Sequence, residues 1–130
     1  MKRSAEVTEE ITPNELAYIG DAVIELLVRR RIVTEGGASK HLSDEAVKYV
    51  SAVSQSDALE NILDILTEEE TDIYKRARNN YHTSNVPKSA SATQYRRSTG
   101  FEAVFGYLYM KGDDARIKEL FDVAYGGKDN

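Results

Sequence analysis

The sequence predicts an all-α fold, a bundle of about six to seven helices, and three observations carry that expectation. Helix-start signatures recur along the chain, apolar residues return at helical spacing, and no stretch of useful length alternates with period two. Only two prolines and eight glycines interrupt 130 residues, which leaves room for long helices.

Each element can be justified in order. Residues 1–11 are polar, acidic and aperiodic, and are expected to be a flexible tail. Thr12-Pro13-Asn14-Glu15 opens the first helix: a threonine cap, proline at the first position and glutamate three residues after the cap. Leu16, Ile19, Val23, Leu26, Leu27 and Val28 then recur at helical spacing until Glu35-Gly36-Gly37. A second helix is expected over about residues 43–50, capped by Ser43, and a third over roughly 54–66. Thr67-Glu68-Glu69-Glu70 is another capping box, opening a helix with Ile73 and Ala77 inward and an end near Asn79-Asn80. Residues 81–90, rich in Asn and Ser and containing Val86-Pro87, read as an irregular loop. Helix returns over 91–110, with a break near Thr99-Gly100; Lys111-Gly112-Asp113 turns the chain. In the last helix, 113–124, Ile117, Leu120, Phe121 and Ala124 form one stripe. The expected organisation is one domain over 12–126, with short tails at 1–11 and 127–130.

Composition narrows the function classes. With no cysteine there is neither a disulfide framework nor a thiolate metal site, which fits a reducing cytosol. The N-terminal residues lack the apolar segment of a secretory signal, and no apolar run approaches the roughly 20 residues of a membrane span. A cytoplasmic protein without membrane attachment is the expectation. The net charge of −5 argues against nucleic-acid binding by bulk positive charge. Its distribution is uneven, however. Lys75, Arg76, Arg78, Lys88, Arg96 and Arg97 fall in a stretch without an acid, and removing these six charges leaves −11 on the rest.

Two segments place a carboxylate directly after glycine, or one residue beyond it, within apolar surroundings: Tyr18-Ile19-Gly20-Asp21-Ala22-Val23 and Gly100-Phe101-Glu102-Ala103-Val104-Phe105-Gly106. Glycine inside a helix costs roughly 1 kcal/mol relative to alanine, so it marks close approach of a backbone or ligand. A buried carboxylate needs a cation, and neither segment has an adjacent lysine or arginine. If the two helices cross near their glycines, Asp21 and Glu102 converge and can share a hard divalent ion such as Mg²⁺. The competing reading puts both acids on solvated helix faces, as the Glu25/Arg29 spacing suggests for a surface ion pair. The basic stretch also has two readings. It is a solvated face, or else a phosphate-binding rim in which arginines interleave with Asn79, Asn80, Tyr81, His82, Tyr95, Ser98 and Thr99. His41 and His82 stand in no metal-ligand or triad spacing.

In these motifs the chain resembles the Mini-III ribonucleases, the branch of the ribonuclease III family without a separate double-stranded-RNA-binding domain. The resemblance spans roughly residues 13–125. It is most specific in Leu16-Ala17-Tyr18-Ile19-Gly20-Asp21-Ala22-Val23, Arg76-Ala77-Arg78-Asn79, Val86-Pro87-Lys88 and Tyr95-Arg96-Arg97-Ser98-Thr99-Gly100-Phe101-Glu102-Ala103. It implies a ribonuclease III-like endonuclease domain, a homodimer, and hydrolysis of double-stranded RNA dependent on Mg²⁺, with Mn²⁺ as a substitute ion. Asp21 and Glu102 match the family's catalytic metal-binding acids. Tyr18, with Ile19 beside it, matches the aromatic position that enters the partner subunit. The expected RNA-binding set is Arg76, Arg78, Asn79, Lys88, Arg96, Arg97, Ser98 and Thr99. The implied role is maturation of the ends of large-subunit (23S) ribosomal RNA precursor, leaving 5′-phosphate ends, with a ribosomal protein as an accessory partner. Ala17 and Thr99 stand where larger members carry further acids, which leaves few protein oxygens for a second ion. The alternatives from other classes are a non-catalytic helical RNA-binding or ribosome-assembly module and a helical metal-dependent nucleotide hydrolase.

Overall fold

The computed structural model describes residues 3–35, 42–80 and 90–126. Within them lie seven α-helices and one 3-10 turn: α1 (Ala5–Thr8), α2 (Pro13–Thr34), α3 (Leu42–Val50), α4 (Ala52–Glu60), the 3-10 turn (Leu63–Ile65), α5 (Glu68–Asn79), α6 (Ala92–Lys111) and α7 (Asp114–Ala124). No strand occurs among the described residues. The all-α expectation holds.

The long helix α6 is the axis of the bundle, with α2, α4 and α5 packed on it. Phe101, Ala103, Val104 and Phe105 of α6 are fully buried, with Ile24 and Val28 of α2 and Leu59 of α4. Burying apolar area of this kind supplies the main driving force, at roughly 25 cal/mol per Å². Capping boxes set the starts of three helices. Thr12 with Glu15 and Thr67 with Glu70 open α2 and α5 as expected, and Ser91 with Gln94 opens α6. The predicted Glu25–Arg29 ion pair forms across one turn of α2, at 2.9 Å.

Three local expectations are corrected. The stretch read as a tail contains α1, and Arg3 donates to the Tyr109 carbonyl at 2.6 Å and pairs with Asp114. The third predicted helix begins earlier and ends earlier. Ser51 caps α4, and the helix ends at Glu60, with Asn61 as its C-cap and the Asn61 side-chain amide donating to the Ala124 carbonyl at 2.9 Å. The anticipated break at Thr99-Gly100 does not occur, and α6 runs through it. A Cβ on Gly100 would lie 2.5 Å from the Tyr74 ring of α5, so the glycine makes room for packing rather than bending the helix. Residues 81–89 of the expected 81–90 loop, with Lys88 and His82, and also His41 lie outside the described residues.

Candidate metal-binding active site

The crossing of α2 and α6 is set by two glycines. A Cβ on Gly20 would fall 1.7 Å from the Glu102 carbonyl oxygen, and one on Gly106 would fall 1.8 Å from the Leu16 carbonyl oxygen. Leu16 thus faces Gly106 while Gly20 faces Glu102, and no side chain larger than hydrogen fits between the backbones. The residue after Gly20 is Asp21, so this approach delivers its carboxyl to Glu102.

The two acids meet. Glu102 is half-buried within α6. Burial first, then the negative charge of Asp21 and a hydrogen bond shared with it, hold the Glu102 carboxyl well above the usual carboxylate range. The Gln55 amide acts in the opposite direction. Among the described residues no lysine or arginine forms an ion pair with either acid. Two facing carboxylates without a protein cation repel unless one is protonated or a cation joins them. Asp21 is exposed, which leaves the pair open to solvent on one side.

This donor set fits a hard divalent ion, which is typically held by one or two carboxylates and keeps several waters. No group of three or more potential His, Cys, Asp or Glu ligands occurs among the described residues.

The other predicted residues that the structure describes sit in different local settings. Arg76 is exposed on α5, where Asp72 lies 3.6 Å away, and Arg78 stacks over the Tyr74 ring at 5.3 Å from its centroid. Asn79, the last residue of α5, accepts from Arg78 at 3.1 Å. Arg96 sits in the first turns of α6, its Nε directed at the Ala92 carbonyl at 3.4 Å. Arg97 turns to α4 instead: it donates to Ser56 Oγ at 2.8 Å and to the Ser56 carbonyl at 3.1 Å, and pairs with Glu60. Ser98 is buried and donates to the Tyr95 carbonyl at 2.8 Å, and Thr99 bonds the same carbonyl at 3.0 Å. Ile19 packs partly against the core, whereas Tyr18 is 84% exposed.

Sequence reasoning missed two residues near the acids. Gln55 of α4 is 1% exposed, and its Nε2 has no hydrogen-bond partner among the described residues. Tyr125 packs edge-on against the Phe101 ring, and its hydroxyl donates to the Tyr49 carbonyl at 2.9 Å. Burial and the charge of Glu102 push the Tyr125 phenol up. Neither residue belongs to a periodic or charged motif that could have marked it.

An all-helical bundle presenting two facing acids at a glycine-lined crossing is a ribonuclease III type of domain, and the Ribonuclease III domain family matches residues 14–113. A Mini-ribonuclease 3 of Thermoanaerobacter sp. is 41% identical over 115 residues, covering 88% of this chain and 80% of its own length. The Mini-ribonuclease 3 of Streptococcus pneumoniae is 45% identical over 109 residues, covering 81% and 84%. The chain therefore belongs to the Mini-ribonuclease 3 branch of the ribonuclease III family. A solved structure of a Fusobacterium nucleatum protein superimposes with a TM-score of 0.81 at 30% identity, covering 91% of this chain and 94% of that one.

Proposed function

We propose that the chain is an endoribonuclease that cleaves double-stranded RNA with Mg²⁺, or Mn²⁺ in its place, held by Asp21 and Glu102. The observation that carries this reading is the meeting of these two carboxyls at the α2/α6 crossing, with no ion pair to a lysine or arginine among the described residues. A bound divalent ion supplies a water of lowered pKa and stabilises charge developing on phosphoryl and leaving oxygens. Asp21 and Glu102 position that chemistry, and no side chain need act as nucleophile. The products carry 5′-phosphate and 3′-hydroxyl ends.

Arg76, Arg78 and Arg96, with Asn79, Thr99 and Lys88, are the proposed contacts to the RNA backbone. A-form shape and 2′-hydroxyls, rather than base sequence, would then select the duplex. Arg97 and Ser98 support this surface from beneath, through their bonds to α4 and to the α6 backbone.

The active form is a homodimer. Tyr18, Leu26 and Val33 leave α2 exposed by 84%, 68% and 62%, and Val47 of α3 is 59% exposed. Beside them lies a groove of about 550 Å³ lined by Ile32, Val33, Leu42, Ala46, Val47 and Val50, among others. An apolar face of this kind marks an interaction surface, and a second copy that inserts Tyr18 would cover it. Two sites related by the dimer axis would cut the two strands with a stagger. The substrate proposed is the large-subunit (23S) ribosomal RNA precursor in the cytoplasm, with a ribosomal protein presenting it. No helix among the described residues is long and apolar enough to cross a membrane.

Incubating the purified protein with a long RNA duplex, with and without Mg²⁺, tests the activity. Mg²⁺-dependent cleavage that Asp21→Asn or Glu102→Gln reduces by roughly 10³-fold is expected, the equivalent of several kcal/mol of transition-state stabilisation. Binding without cleavage would instead identify an RNA-binding module, and turnover of nucleotides alone a nucleotide hydrolase.

A further inference from the structure

Gln55 is the one buried side chain among the described residues left with a polar atom that lacks a hydrogen bond. It sits on α4, at 1% exposure, where that helix packs on α6. Buried N–H groups are almost always paired, so an unpaired one at a site of facing acids points to an unmet acceptor. The Arg97–Ser56 bonds lay α4, with Gln55 beside Ser56, against the stretch of α6 that carries Glu102, and the amide favours the ionised form of that carboxyl.

The placement is held by the adjacent residue. Arg97 of α6 reaches across to Ser56, donating from Nε to Oγ at 2.8 Å and from Nη2 to the carbonyl at 3.1 Å, and also pairs with Glu60. These bonds from one guanidinium fix the register of α4 on α6. Ser51 caps the start of α4 by accepting from the Ser54 N–H at 3.2 Å, so the helix that carries Gln55 is anchored at both ends.

The chemistry of the group matters as much as its position. A lysine or arginine here would neutralise Glu102 and compete with a cation for it. A neutral amide donor steadies one carboxylate oxygen and leaves the negative charge available. Partners of this kind orient metal-binding carboxylates and tune their affinity.

We infer that Gln55 is a positioning residue of the cation site: its amide N–H, unpaired among the described residues, takes the Glu102 carboxylate as its acceptor when Glu102 and Asp21 hold a cation. This rests on the reading of Asp21 and Glu102 as a divalent-cation site. It extends that site to α4 and assigns Arg97 the task of holding α4 in register.

The test is Mg²⁺ titration calorimetry on the RNA-free full chain at fixed pH, paired with thermal unfolding of each metal-free variant. Gln55→Met keeps the volume and removes the donor; Gln55→Leu is the second variant, should methionine repack. Either should weaken Mg²⁺ binding on the order of tenfold or more. The metal-free Tm should stay level or rise, because an unpaired buried donor has gone. In a Glu102→Gln background the same substitution should cause no further loss of Mg²⁺ affinity. Wild-type affinity in both Gln55 variants, or an equal loss with and without Glu102, would overturn the inference while leaving the two-acid site intact. Mg²⁺ binding by the wild type that ignores Glu102→Gln would overturn the two-acid reading itself, and this inference with it.

Discussion

Glu70 and Glu102 are both glutamates drawn out of water in the same bundle, and their surroundings give them opposite properties. Glu70 is 3% exposed at the start of α5. Its carboxylate receives Arg116 Nε at 3.0 Å and Nη2 at 2.8 Å, and the Thr67 N–H at 2.9 Å. Burial alone would raise its pKa, but these donors outweigh it and hold Glu70 below the ordinary value. Glu102 faces another acid and a single neutral amide, and is held well above that value. A buried acid whose charge is already answered closes a structure; one whose charge is unanswered is poised for a ligand.

The largest expected effect breaks the geometry that creates this difference. Gly106→Ala places a methyl against the Leu16 carbonyl, where backbone must move rather than side chain. A stability loss of about 3 kcal/mol or more is expected in denaturant unfolding, with loss of Mg²⁺ binding as Asp21 is carried away from Glu102. Glu70→Ala comes next, at about 2 kcal/mol. The loss is moderated because Arg116 keeps Glu119 at 3.0 Å and the Ile65 carbonyl. Its Mg²⁺ affinity should match wild type, since Glu70 belongs to the α5–α7 clamp and not to the site.

A smaller effect of opposite sign sharpens the contrast. The raised pKa means that Glu102 binds its proton more tightly folded than unfolded. In metal-free protein its contribution is therefore full below the unfolded value and is lost as pH rises through the folded one. Glu70 does the reverse: its contribution is present above the unfolded value and lost as pH falls through the lowered folded one. Glu102→Gln should accordingly raise the Tm of chelator-treated protein at neutral pH, and Glu70→Gln should lower it. Thermal scans from roughly pH 2 to 9 would check both slopes, the window reaching below the ordinary carboxylate value for Glu70 and above it for Glu102. The smallest effect concerns the RNA surface. Arg76→Ala with Arg78→Ala should reduce the salt slope of duplex binding by about 2, one for each phosphate no longer neutralised. An unchanged slope would make α5 a solvated face.

The same contrast explains which features are legible in the sequence. Asp21 and Glu102 stand out because each follows a glycine closely within a helical pattern, and both glycines prove to be sites of backbone approach or close ring packing. The capping boxes at Thr12 and Thr67 are equally plain, since they are local and depend on a spacing of three. Gln55 carries no such mark. A lone amide on a short helix acquires meaning only when α4 is laid against α6, and that register is set by Arg97, a residue that reads from sequence as a phosphate ligand. Ser98 is likewise legible as a hydroxyl but not as a buried one. Properties written into neighbouring residues are visible; those created by an interaction across 41 positions are not.

The central claim is that the carboxyls of residues 21 and 102 hold one divalent ion between them. Mn²⁺ soaked into crystals of the RNA-free protein and located by anomalous scattering tests it directly. The account predicts a peak bridging Asp21 and Glu102 that disappears in Glu102→Gln crystals. A peak elsewhere with this crossing empty, or one that survives the substitution, would contradict it.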